Sequence, residues 1–105
     1  MGRFSGRIMH LLDSLRADHA DITAIRRDIH AHPELAFEEH RTAALVAERL
    51  EALGIETHRG VGQTGVVGVL RAGSSKRAIG LRADMDALPI QEKNDFAHHS
   101  RHAGR

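Results

Sequence analysis

An α/β fold in the order α-α-β-β-β is predicted by three features of this 105-residue sequence. Apolar residues of the first half recur at the helical spacing i, i+3, i+4, i+7. After Gly54 the period changes, and Ile55–His58, Val66–Leu70 and Ala78–Ala83 are short runs of aliphatic and β-branched residues. Between those runs stand Gly60, Gly62, Gly65, Gly73, Ser74 and Ser75, residue types that make turns. The length suits one small domain and not two.

The first helix is expected over 5–31. Ile8, Leu11, Leu12 and Leu15 form one stripe, and Ile22, Ile25 and Ile29 continue it. Arg26, Arg27 and Asp28 fall mostly off that stripe and should face water. A break is expected near Asp18–Asp21, where two acids cluster with His19. The helix must end before Pro33, because the residue before a proline, here His32, is driven out of the α region. Arg3 and Arg7 ahead of an apolar run faintly resemble a signal peptide, but Asp13 interrupts the run and no small-residue cleavage site follows. No apolar run is long enough to span a bilayer. Gly6 stands where a myristoylation signal needs Ser or Thr. The expectation is a soluble cytoplasmic protein.

A second helix is expected over 38–53. Glu38 and Glu39 suit its first turn, where carboxylates meet the positive end of the dipole. Ala43, Val46, Ala47, Leu50 and Leu53 keep helical spacing, and Gly54 is placed to end the helix. Strands are then expected at 55–58, 66–70 and 78–83. The last two should pair antiparallel, since the Ala72–Lys76 turn is too short for a crossover. The tail, 91–105, is polar and shows no core pattern.

Composition excludes several functions. Lys+Arg 15 against Asp+Glu 14 leaves a net charge of +1, so nothing draws the chain to nucleic acid or an anionic membrane. Cys is absent, which removes disulfides and thiolate metal ligands. The chain has three Phe and no Trp or Tyr, too few aromatic platforms for stacking bases.

The stretch Arg77–Ile90, RAIGLRADMDALPI, is an apolar run that delivers Asp84 and Asp86 to its C-terminal end. Ligands of α/β sheets bind in the crevice outside such ends. In an extended segment both carboxylates lie on one side. They could bind a hard cation, orient a metal-bound His or share a proton, or merely form a solvated strand end. His98, His99 and His102 have spacings that suit zinc on a helix, but an exposed tail accounts for them as well. His30 and His32 stand near a helix C-terminus, where the dipole stabilises a cation. The glycines at 60, 62 and 65 lack a following Gly-Lys-Ser/Thr and are turn residues, not a phosphate loop.

Three blocks taken together resemble a family. Arg26–Glu56 (RRDIHAHPELAFEEHRTAALVAERLEALGIE), Thr64–Leu70 (TGVVGVL) and Gly80–Ile90 (GLRADMDALPI) are similar to the N-terminal part of the metal-dependent amidohydrolases. That group includes hippurate hydrolase, N-acyl-L-amino-acid amidohydrolases and the plant auxin-conjugate hydrolases, and is related to aminoacylase and to carboxypeptidases with paired zinc ions. A small departure is Ala36, where the family often has Gly. The resemblance implies a zinc-peptidase-like α/β catalytic domain, of which this chain is an incomplete N-terminal portion. It implies hydrolysis of a small N-acyl amino acid, with zinc or manganese, two ions, polarising the amide and activating water. It implies a homo-oligomer as the whole enzyme, with neither nucleic acid nor membrane as partner.

In the family, RADMDALPI is followed by a metal box reading His-Ala-Cys-Gly-His-Asp, and Ser100–Arg105 resembles the residues just before it. The expectation is therefore an N-terminal fragment without metal ligands, inactive in isolation. By the resemblance, Asp86 matches the Asp that orients a metal-binding His in related dizinc enzymes, a supporting catalytic role. Asp84 occupies the place of that His and is the weaker candidate. The rival reading is a small non-catalytic α/β module that binds a partner at its sheet edge or a metal through its His-rich tail.

Overall fold

The computed structural model describes residues 2–105, with side chains described from Gly6 onward. Four elements follow in order: helix α1 (Gly2–Ala31), helix α2 (His40–Ala52), strand β1 (Glu56–Val61) and strand β2 (Gly65–Val69). The architecture is α/β. It contains the two predicted helices and two of the three predicted strands.

The expected break at Asp18–Asp21 does not occur, and α1 runs unbroken for 30 residues, about 45 Å at 1.5 Å per residue. Side chains at 18, 19 and 21 are exposed. Two acids and an imidazole in water cost a helix little, since they hold no competing backbone contact. All side chains over 6–22 are exposed, including Ile8, Leu11, Leu12 and Leu15. Burial begins at Thr23 and is complete at Ala31.

Helix α2 starts at His40, two residues later than expected. Glu39 occupies the position before the first turn, yet its carboxylate makes no capping hydrogen bond. It turns instead to Thr64, whose hydroxyl donates to Oε2 at 2.6 Å. The cap comes from Glu34, whose two carboxylate oxygens accept the backbone N–H groups of Arg41 and Thr42 at 2.9 and 2.6 Å. The helix ends at Ala52, one residue before the expected 53, and Gly54 follows with φ +74, donating its N–H to the Glu51 carbonyl at 2.9 Å.

Strands β1 and β2 form an antiparallel hairpin, with Glu56 opposite Val69 and His58 opposite Val67, and a bulge between Arg59 and Val61. β1 starts one residue later than the expected 55–58 and runs three residues further, through the bulge. Helix α2 lies across both strands. Its close approach rests on Gly68, where a Cβ would stand 3.2 Å from both Leu50 Cδ1 and Ile55 Cγ2. The most buried residues of α2 are Thr42 and Ala47.

The third strand is corrected. Residues 78–83 join no ladder, and β2 pairs with β1 rather than with this run. Ile79 and Leu81 are 90% and 95% exposed, so two apolar side chains await cover that the described residues do not supply. The polar tail, 91–105, has no buried residue, and it folds back on the C-terminal end of α1, where Arg101 donates its N–H to the Ala31 carbonyl at 2.9 Å. No helix of the described residues is long and apolar enough to cross a membrane.

Candidate functional site

The segment after the apolar run is anchored where it matters. Ala87 donates its N–H to the Glu34 carbonyl at 2.7 Å, and Leu35 and Ala87 form a parallel bridge. Pro33 forces the chain out of α1 just ahead of that bridge. Asp86 is therefore held beside the α1–α2 junction, on the wall of a cleft of about 510 Å³. The apolar wall is Ile29, Pro33, Met85 and Ile90. The polar wall includes Arg26, His30, Glu34, Asp86 and Glu92, with Ser100 and Arg105 at the tail side.

The two candidate aspartates part company here. Asp84 is drawn to Arg82, with Oδ1 2.8 Å from Nη2, and takes no part in the cleft. Asp86 lines the cleft and has no hydrogen bond or ion pair among the described residues. Asp84 thus faces Arg82 while Asp86 faces the cleft.

Glu34 carries two duties: its carbonyl holds Ala87, and its carboxylate caps α2. Partial burial opposes ionisation of that carboxyl. The Thr42 hydroxyl, at 2.6 Å, and the amides of Arg41 and Thr42 outweigh it and hold the group below its usual value. At Glu39 the Thr64 hydroxyl is the chief cause of a similar downward shift.

Glu92 is the hub of the tail. It accepts the Ser100 N–H, stands 2.7 Å from His30 Nε2, and accepts Asn94 Nδ2 at 3.1 Å. The Ser100 amide first, then His30 and Asn94, lower its pKa to about 2. His98 stacks on Phe96 at 3.9 Å between ring centroids, and His30 lies 5.8 Å from both rings. His99 Nδ1 is 2.8 Å from the Phe96 carbonyl, while His102 lies 6.2 Å from His32. The three tail histidines are thus spread over separate contacts and do not form a zinc face. His32 Nδ1 lies 2.9 Å from the Asp28 carbonyl and caps the end of α1.

Glu34 and Glu92 were not among the residues that the sequence singled out. A Glu that serves amides seven or eight residues away leaves no periodic trace, and His30–Glu92 spans 62 positions. The only available signal was the Asp/Glu richness of the α1–α2 junction.

Among the described residues, no group of three or more His, Asp or Glu side chains is placed to hold a metal ion. The chain's own donor set does not fit a two-metal centre.

No protein-family model matches the chain. Curated relatives do. Hippurate hydrolase of Campylobacter jejuni is 46% identical over 93 residues, which is 89% of this chain and 24% of that protein. The N-acyl-L-amino acid amidohydrolase of Geobacillus stearothermophilus is 43% identical over 98 residues, covering 92% of this chain and 25% of the relative. Among solved structures, the YXEP protein of Bacillus subtilis, a dinuclear metal binding peptidase from the M20 family, superposes with a TM-score of 0.79 at 37% identity. The match covers 85% of this chain and 25% of that one. The chain spans about a quarter of the length of these relatives. Over most of its length, sequence and backbone agree in matching the chain to about a quarter of these amidohydrolases and of the M20 peptidase.

Proposed function

We propose that these residues supply one wall of the active-site cleft of a hydrolase that cleaves the amide bond of small N-acyl amino acids, hippurate-like, with bound divalent metal. The reading rests on the 46% identity to hippurate hydrolase across 93 residues. Asp86 is its chemical contribution: an exposed, partnerless carboxylate fixed at the cleft by the Ala87–Glu34 hydrogen bond, free to accept a hydrogen bond and orient its donor. Asp84, spent on Arg82, has the lesser claim. The metal, zinc or manganese, would be held by residues beyond this donor set, so the 105-residue chain by itself is inactive. We place the whole enzyme in the cytoplasm, as a homo-oligomer.

The test uses two proteins and one substrate. The first is the 105-residue chain with added zinc or manganese. The second is the Campylobacter hippurate hydrolase with its matching region replaced by the residues of this chain. Hippurate hydrolysis by the hybrid, with none above buffer by the chain alone, is the expected result. An inactive but folded hybrid, or an active isolated chain, would overturn the proposal.

A further inference from the structure

We propose that residues 91–105 form an acid-released latch on the C-terminal end of α1, with the His98–His30 pair as its sensor. The latch is built from contacts between two elements far apart in sequence. Glu92 joins His30 on α1 to the Ser100 amide of the tail, and Arg101 donates to the Ala31 carbonyl. Gly104 donates to Gln91 Oε1 at 2.6 Å, closing the segment on itself. Ser100 and Arg105 line the cleft, so release of the segment removes one of its walls.

The sensor follows from what surrounds His98. From α1 it faces Arg26, Arg27 and His30; from its own segment it faces Glu92 and Phe96. Three of these are cations or can become cations, and the single carboxylate is already engaged by Ser100 and His30. His98 has no hydrogen bond of its own among the described residues. Burial is the chief cause, and Arg27, Arg26 and His30 further causes, of a downward shift of its imidazole. A group whose docked pKa is lowered gives stability that is present above its free value of 6.5 and is lost as pH falls below it. His30 stands 2.7 Å from Glu92 and 5.8 Å from the His98 ring, so the carboxylate nearest the sensor is already shared. Glu92 stays ionised throughout this range, so the acid response belongs to His98.

The experiment is amide hydrogen exchange on the 105-residue chain at about pH 7.5 and about pH 5.5, corrected for intrinsic rates. The Ser100 and Arg101 amides should lose protection on acidification, by at most about tenfold, the limit set by excluding one proton from an imidazole whose free value is 6.5. Amides of the β1–β2 hairpin should keep theirs. His98→Phe, which keeps a ring on Phe96, should dock at both pH values with less than about twofold change. Should that variant not dock at neutral pH, His98→Gln gives the same reading. Unchanged wild-type protection, equal loss in the hairpin, or an undiminished response without His98 would each overturn the proposal.

Discussion

The carboxylate of Glu34 receives both the backbone N–H and the hydroxyl of Thr42, each at 2.6 Å, and so caps a helix that begins six residues further along the chain. The same residue holds Ala87 through its carbonyl. Glu34 thereby couples the start of α2 to the placement of Asp86. Loss of a helix cap costs about 1–2 kcal/mol. Glu34→Ala should lower the urea midpoint by a corresponding amount, and Thr42→Val part of it. The Glu34 carboxyl is held below its ordinary value of 4.5, so the stability it supplies is present above that pH and lost as the pH falls beneath it. Urea unfolding at neutral pH and at a pH well below 4.5 should show a difference between wild type and Glu34→Ala that shrinks with acidification. A constant difference would contradict the capping role.

Gly68 is where the helix and the hairpin meet most closely. A Cβ there would press on Leu50 and Ile55 at 3.2 Å, tighter than ordinary contact. Gly68→Ala should destabilise by about 1–3 kcal/mol, as overpacking does. Thermal unfolding followed by circular dichroism measures it. A second change, Leu50→Ala, should recover part of the loss by making room.

Arg41 grips Asp28 with one guanidinium nitrogen, 2.9 and 2.8 Å from its two oxygens, and ties α2 to α1. Both side chains are well exposed, so the pair is worth at most about 1 kcal/mol. Arg41→Lys should cost a few tenths of that, and less in high salt. Urea unfolding at two salt concentrations checks both statements.

Helix existence was legible from period alone, because apolar stripes at Ile8–Leu15 and Ala43–Leu53 need no distant partner to be seen. The uninterrupted course of α1 was not legible, since acids at 18 and 21 read alike in an exposed helix and in a turn. The hairpin was visible as two apolar runs, yet its partner choice was misjudged. Strand pairing depends on which edges meet, and the run 78–83 has the composition of a strand without a ladder among the described residues. The pair Asp84 and Asp86 was legible by its place after an apolar run, but which of the two lines the cleft was not. Glu34 and Glu92 were not, because each works through backbone amides that any sequence carries.

The bare run 78–83 carries its own consequence. Extended apolar segments without a partner are association hazards. Leu81, 95% exposed, touches little that folding requires. Leu81→Lys should reduce self-association of the 105-residue chain in light scattering while leaving the helical circular dichroism signal unchanged. Equal association by both proteins would show that the exposed stripe of α1, not this run, is the sticky surface.

Hippurate hydrolysis by the hybrid enzyme, compared between Asp86→Asn and Asp84→Asn, tests the central claim most directly. Asp86 lines the cleft without a partner, while Asp84 is turned to Arg82. The account predicts that Asp86→Asn lowers kcat by about 10- to 100-fold, the usual cost of losing a carboxylate that orients a ligand, and that Asp84→Asn changes it far less. Equal effects, or a larger loss at Asp84, would contradict it.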